Sequence, residues 1–304
     1  MGTKRRDAGW GIGSAAFPPS RCSLLAVSCM ALASGVYWSL IPTRSQESLN
    51  RLRLENADKP YPHARVVFSM TSFPGRLERV RDTMHSLATQ SRPVDAIILS
   101  IPHTVDRIHV PTQLPPIVAE LQKEYGELLH IHRTTDYGPS TKLLGALEVE
   151  QDPKTIIITV DDDTVYHKDL ALALVDGIEH AKDSAVCFVC EFWPQWWYKP
   201  LYMRAEGDCM GFQNAYAGTA YRRGFFDKGI FDYTGAPDGC RLHDDVWISG
   251  YLSRKGIKRH VIKPGFWSIV GEMGHTNMSI HEVKDTESKY RDPCLEYFGW
   301  LREA

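Results

Sequence analysis

Charge of neither sign dominates this sequence. Its 304 residues carry 35 Lys+Arg against 37 Asp+Glu, a formal net charge of -2. A general nucleic-acid binder normally shows a basic excess or a basic stripe, so the balance argues against that class and against nucleic acid as a partner. There is no internal repeat and no low-complexity tract. At 43% hydrophobic and 24% charged, the composition is that of a globular chain and not of a disordered one. Cysteine is scarce. Cys22 and Cys29 lie in an N-terminal apolar run, and Cys187, Cys190, Cys209, Cys240 and Cys294 follow far downstream. Cys187-x-x-Cys190 has no second pair at zinc spacing and sits in Ala185–Cys190, which reads as a buried strand, so a structural zinc is not expected. One or two disulfides are expected, with the pairing left open. Asn277-Met278-Ser279 is the one glycosylation sequon.

What the chain does have begins at its N-terminus. Residues Cys22 to Ile41 contain no charged side chain. As a helix rising about 1.5 Å per residue, that run spans about 30 Å, the hydrocarbon thickness of a bilayer. Lys4, Arg5, Arg6 and Arg21 precede it, while Arg44, Glu47 and Arg51 follow. The positive-inside bias then sets residues 1–21 in the cytosol and the rest in the lumen. The expectation is a transmembrane signal anchor over 22–41 in a single-pass type II protein of the Golgi or endoplasmic reticulum membrane. Ala31-Leu32-Ala33 resembles a signal-peptidase site, so a cleaved signal peptide is the alternative. The polar residues 42–61 read as a stem or linker, and the folded domain is 62–304.

Strand and helix alternate through that domain. Arg65–Met70, Ala96–Ile101, Leu128–His132 and Thr155–Val160 are apolar and β-branched, which predicts strands. Leu77–Thr89, Ile117–Tyr125 and Ser140–Val149 are predicted helices, the last with Ser140 as N-cap. Thr-Ile-Ile-Ile-Thr-Val at 155–160 is a continuous β-branched run of the kind found in parallel strands covered on both faces. The fold class is therefore α/β, a mostly parallel, Rossmann-like sheet flanked by helices. Ligands of such sheets gather at the carboxyl ends of the strands.

Asp161-Asp162-Asp163 comes directly after that run. Three adjacent carboxylates repel one another, and a hard cation such as Mn²⁺ or Mg²⁺ relieves this while recruiting phosphate oxygens. Farther on, His243-Asp244-Asp245-Val246-Trp247 opens a predicted helix that ends at Gly256. Acids there serve either as caps or as a general base. Asp136–Lys142 places a turn before a helix, where N–H groups and Lys142 would face phosphates, with a plain helix cap as the equal alternative. It lacks the spacing of a Walker loop. Arg76 follows Ser72-Phe73-Pro74-Gly75 and is either a nucleotide contact or a surface charge. Trp193-Pro194-Gln195-Trp196-Trp197-Tyr198 offers flat rings on which sugar C–H faces stack, with core packing as the rival.

Four segments together carry a resemblance. They are Val160-Asp161-Asp162-Asp163-Thr164, the opening Val66–Phe73, the acidic pair Asp244-Asp245, and Gly274-His275-Thr276. In this order the chain resembles the GT-A glycosyltransferases, nucleotide-sugar-dependent transferases with a DxD motif, over most of residues 64–281. The resemblance implies a GT-A-like catalytic domain and a metal-dependent transfer of a sugar from a nucleotide sugar, UDP favoured, to a hydroxyl of a glycan or glycoconjugate, with inversion. It implies that Asp163 binds the metal and that Asp161 lies near the ribose. Either Asp161 or Asp162 reaches the metal directly or through water, and His275 (or its competitor His281) is the late ligand. Asp245, and after it Asp244, is implied as the base. Thr71, Ser72, Arg76, Lys142 and Gly218 are expected around the donor, and Trp193, Trp196 and Trp197 around the acceptor. The alternatives are a sugar nucleotidyltransferase, against which the single glycine of Ser69–Arg76 speaks, and a non-catalytic carbohydrate-binding protein on the same fold.

Overall fold

A computed structural model describes residues 64–106, 110–192, 201–263, 270–273 and 286–301. The proposed tail, anchor and stem lie outside them. Among the described residues no helix is long and apolar enough to cross a membrane.

Eight strands form the main sheet: β1 (Val66–Thr71), β2 (Ala96–Pro102), β3 (Leu129–Thr134), β4 (Ile156–Thr159), β5 (Ser184–Cys187), β6 (Gly207–Asp208), β7 (Thr219–Arg222) and β8 (Lys258–Val261). Their order across the sheet is β6-β8-β5-β7-β4-β1-β2-β3. The β3-β2-β1-β4 half is parallel, as is the β5–β8 pair, while β7 runs antiparallel between β4 and β5. Among the described residues six α-helices accompany it: α1 (Arg81–Ala88), α2 (Pro116–Tyr125), α3 (Thr141–Val149), α4 (Leu170–His180), α5 (Asp244–Arg254) and α6 (Thr286–Tyr297).

The two-residue period of the strands divides the core in two. Val66, Phe68 and Met70 of β1, Ile97, Leu99 and Ile101 of β2, and Ile156 and Ile158 of β4 pack with α1, α2 and α4. Val67, Ile98 and Ile157 point the other way and pack with α3, α5 and the end of α6. Each such side chain, removed from water, contributes about 1.5–3 kcal/mol. Burial on both faces is the reason these strands read as unbroken apolar runs. The strand expected over Ala185–Cys190 is shorter, because the chain leaves β5 after Cys187 and re-enters a small three-stranded sheet at Cys190–Phe192.

Ser140 does not cap α3. It is itself in a 3-10 turn (Gly138–Ser140) with helical torsions and makes no capping hydrogen bond. Thr141 Oγ1 accepts from Tyr137 N at 3.0 Å instead. Among the described residues two disulfides join Cys190 to Cys209 and Cys240 to Cys294, and Cys187 is a buried free thiol. Burial pushes that thiol up to about 12, so it is protonated and unreactive.

Candidate active site at the carboxyl edge of the sheet

Parallel strands β1 and β4 are neighbours, so the segments that follow them emerge side by side. Thr71–Arg76 leaves β1 and Asp161–Asp163 follows β4. Because β7 is antiparallel to β4, with Thr219 opposite Thr159, the residues entering β7 lie at the same edge. Helices α3 and α5 also begin there and bring in Lys142, Asp244 and Asp245.

The acidic turn is held by groups on three sides. Tyr166 is buried, its hydroxyl accepts from Asp161 N at 2.8 Å, and it donates to Tyr216 O at 3.0 Å. Thr83 Oγ1 of α1 donates to Asp162 O at 3.1 Å. Arg76 Nε donates to Asp162 Oδ2 at 3.1 Å, its Nη2 donates to Asp162 Oδ1, and the same Nη2 forms an ion pair with Asp163 Oδ2 at 2.8 Å. Burial works against the guanidinium, but Asp162 and then Asp163 outweigh it and raise its pKa. Burial likewise pushes the Asp162 and Asp163 carboxyls up in spite of Arg76. Asp162 is therefore turned inward and paired, at 6% exposure, while Asp163 keeps 25% of its side chain exposed.

Lys142 occupies the space between the turn and α5. Its side chain is 8% exposed. Nζ donates to Asp161 Oδ1 at 2.5 Å and stands 3.0 Å from Asp244 Oδ2, an ion contact not directed as a hydrogen bond. Burial lowers its pKa, but Asp161, Asp244 and Asp245 overcome this and hold it well above the ordinary value, so it is charged. The N–H groups expected to face phosphates bond within their own turn: Gly138 N donates to Asp136 Oδ1 at 2.8 Å and Tyr137 N to Thr141.

Asp245 is not a helix cap. Its Oδ1 accepts from Ala215 N at 3.1 Å, across the entry to β7. Burial first, and Asp244 second, raise its pKa well above the carboxylate range, against the pull of Lys142. It retains some accessible surface. The protein packed around the carboxyl, not full removal from solvent, sets the direction of that shift.

The other expected donor contacts are placed as follows. Thr71 Oγ1 donates to Ser100 O at 2.8 Å within the sheet. Ser72 is buried near Asp162, and its hydroxyl makes no well-formed hydrogen bond. Gly218 has φ +89, a conformation that favours glycine, and a Cβ there would press on Leu170 and Leu174 at 3.2 and 3.3 Å. His275, His281, Trp193, Trp196 and Trp197 lie outside the described residues. Tyr166 and Thr83 were not legible as site residues. Tyr166 follows the acidic turn closely, but its bond to Asp161 N exists only because the next short strand, Thr164–Tyr166, folds back.

Among the described residues no group of three or more His, Cys, Asp or Glu is arranged to hold a metal. Asp161 and Asp163 nonetheless fit a hard divalent cation. They are alternate, partly exposed carboxylates at one strand end, with 28% and 25% side-chain exposure. Mg²⁺ and Mn²⁺ enzymes commonly take one or two protein carboxylates and complete the shell with water and substrate phosphate. An open depression of about 640 Å³, lined by Arg65, Asp95, Glu127 and Leu128–His130, lies at the opposite, amino end of β1–β3 and takes no part in this cluster.

No protein-family profile and no curated protein matches the sequence. Solved structures similar to it include CMP:2-keto-3-deoxy-manno-octonic acid synthetase complexed with CTP, at 11% identity and a TM-score of 0.44, covering 72% of this chain and 97% of that one. A second is 4-diphosphocytidyl-2C-methyl-D-erythritol synthase from Anaerococcus prevotii, at 13% identity and a TM-score of 0.43, covering 72% and 92%. Similarity at this level decides neither the activity nor the substrate of this chain.

Proposed function

We propose that this protein is a metal-dependent glycosyltransferase of GT-A type, moving a sugar from a nucleotide sugar, UDP favoured, to an acceptor hydroxyl with inversion. The observation that carries the reading is the pairing of two acidic groups at one sheet edge: the Asp161–Asp163 turn and, across Lys142, the Asp244–Asp245 pair, of which Asp244 is buried and Asp245 partly so. Asp161 and Asp163 are the residues that would hold Mn²⁺ or Mg²⁺, which supplies charge neutralisation for a departing diphosphate. Asp162 and Arg76 fix the turn that presents them. Asp245, raised in pKa and oriented by Ala215 N, takes the proton of the acceptor hydroxyl. Asp244 is the counter-ion of Lys142 and keeps that charge beside Asp245.

The alternative is nucleotidyl transfer. Onto a sugar phosphate it needs no such base, because a phosphate nucleophile is already ionised at neutral pH, whereas nucleotidyl transfer onto a sugar hydroxyl uses one. The Asp244–Asp245 pair thus supports a hydroxyl nucleophile, and the product released distinguishes the two reactions. The two disulfides suit a luminal domain behind an anchor at 22–41, in the Golgi or endoplasmic reticulum. The test is a panel of UDP-, GDP- and CMP-sugars with Mn²⁺, scored for release of free nucleotide, beside NTP plus a free sugar or sugar phosphate, scored for pyrophosphate. Metal-dependent nucleotide release supports glycosyl transfer, and pyrophosphate release alone replaces it with the alternative.

A further inference from the structure

Arg76 makes two contacts of different character. The inner one, through Nε and Nη2 to Asp162, joins a side chain that is 14% exposed to one that is 6% exposed. The outer one, from the same Nη2 to Asp163 Oδ2 at 2.8 Å, reaches a carboxylate that is 25% exposed. Phe73 covers the guanidinium at 5.6 Å and narrows the paths by which it can leave. The inner bridge is the more buried of the two. The outer bridge occupies a carboxylate that a divalent cation would need.

We infer that Arg76 is a built-in counter-ion for Asp163, displaced from it when the metal enters and kept at the site by Asp162. The inference rests on the metal-site reading above. Two cations do not share one carboxylate oxygen cheaply, because like charges a few ångströms apart repel strongly in a partly desolvated site. Metal entry therefore breaks the Nη2–Asp163 contact. The Asp162 bridge holds the guanidinium nearby, and the donor released from Asp163 finds its next acceptor in the diphosphate that arrives with the metal, a charge-assisted hydrogen bond. Metal and nucleotide then bind with synergy: the metal alone works against Arg76, and the diphosphate removes that opposition. Arg76 acts here as a positioning residue that sets the order in which the site fills.

The experiment is Mn²⁺ binding followed by loss of the free-ion electron paramagnetic resonance signal, with and without UDP or GDP. Wild type, Arg76→Lys, Arg76→Met and the double variant Arg76→Met/Asp162→Asn are compared. The double variant removes both members of the inner bridge and guards against misfolding from a lone buried carboxylate. Without nucleotide, Arg76→Met should bind Mn²⁺ about tenfold tighter than wild type, the scale for one charge near a divalent ion in a solvated site, and the double variant, which loses one charge of each sign, should show a smaller gain from vacating Asp163. The gain on adding nucleotide should shrink in both, and Arg76→Lys should stay close to wild type. Equal or weaker Mn²⁺ binding in both Met variants, still abolished by Asp163→Asn, overturns the role of Arg76 and leaves the metal site standing. Mn²⁺ binding that survives Asp161→Asn/Asp163→Asn, or is absent from every variant with nucleotide present, removes the metal site and this inference with it.

Discussion

Lys142 and Asp244 face each other 3.0 Å apart, joining the first turn of α3 to the first turn of α5. The same ammonium bonds Asp161, so one buried cation ties the acidic turn after β4 to the helix that carries Asp245. Losing it leaves three acids without their common partner. Removing one member of a buried ion pair costs about 3–5 kcal/mol, and the low end applies here because Asp161 keeps 28% of its side chain exposed. Lys142→Met should lower Tm accordingly, while Lys142→Arg should recover part of the loss. Differential scanning calorimetry of the two variants checks this.

Asp245 yields a prediction on pH. Acting as a base it must be ionised, so kcat/KM should fall as pH drops through its raised pKa, which lies above the ordinary carboxylate value. Lys142 lowers that pKa. In Lys142→Met the acid limb should therefore move to higher pH, and in Lys142→Arg it should return. A merely structural lysine would lower the plateau without moving the limb.

Asp245→Asn should reduce turnover by about 10²–10⁴-fold with donor affinity nearly unchanged. Its effect on stability should be opposite. A carboxyl whose folded pKa is above its unfolded one keeps its proton longer when folded. Stability is then lost as pH rises from the ordinary carboxylate range through the folded value. The neutral amide removes that loss, so Asp245→Asn should melt higher than wild type at pH 7 to 8. An unchanged or lower Tm, with normal turnover, would move the base to Asp244.

Gly138 has φ +64, and a Cβ on it would meet Arg241 O at 2.2 Å. That contact brings the turn before α3 against the 3-10 turn before α5, and so brings Lys142 to Asp244. Gly138→Ala meets both an unfavourable torsion and a backbone clash, and should cost about 1–3 kcal/mol. Turnover should fall more than stability alone explains, which denaturant titration and kinetics on the same sample would resolve.

The Cys240–Cys294 disulfide fastens the 3-10 turn at Asp238–Arg241 to α6. It closes a separation of 54 residues. Replacing both with serine should cost about 2–4 kcal/mol by freeing the unfolded chain. Because α5 starts just beyond this turn, acceptor KM should rise as well. Mass spectrometry of the non-reduced digest establishes the pairing independently.

Much of the scaffold was present in the order of residues. The apolar runs that became β1–β4 and the helices between them follow from side-chain periodicity, a local property that burial on two faces makes plain. So did the position of the acidic turn, because a charge cluster after a buried strand can only lie at its carboxyl edge. Other features had no local signal. Ser140 looked like a cap, yet the turn before it already supplied a helical entry. Cys187 and Cys190 were read on one buried strand with the disulfide pairing left open, but the chain changes sheets between them, and Cys190 meets Cys209. Lys142 was expected near donor phosphates and Arg76 near the nucleotide, and the ion partners that tertiary packing gives them, Asp161, Asp244, Asp162 and Asp163, had no local signal. Sequence alone determined which charges this protein carries at its sheet edge. Which charge faces which was decided by strand order and helix approach, because an ion pair depends on distances between residues that the chain holds far apart until it folds.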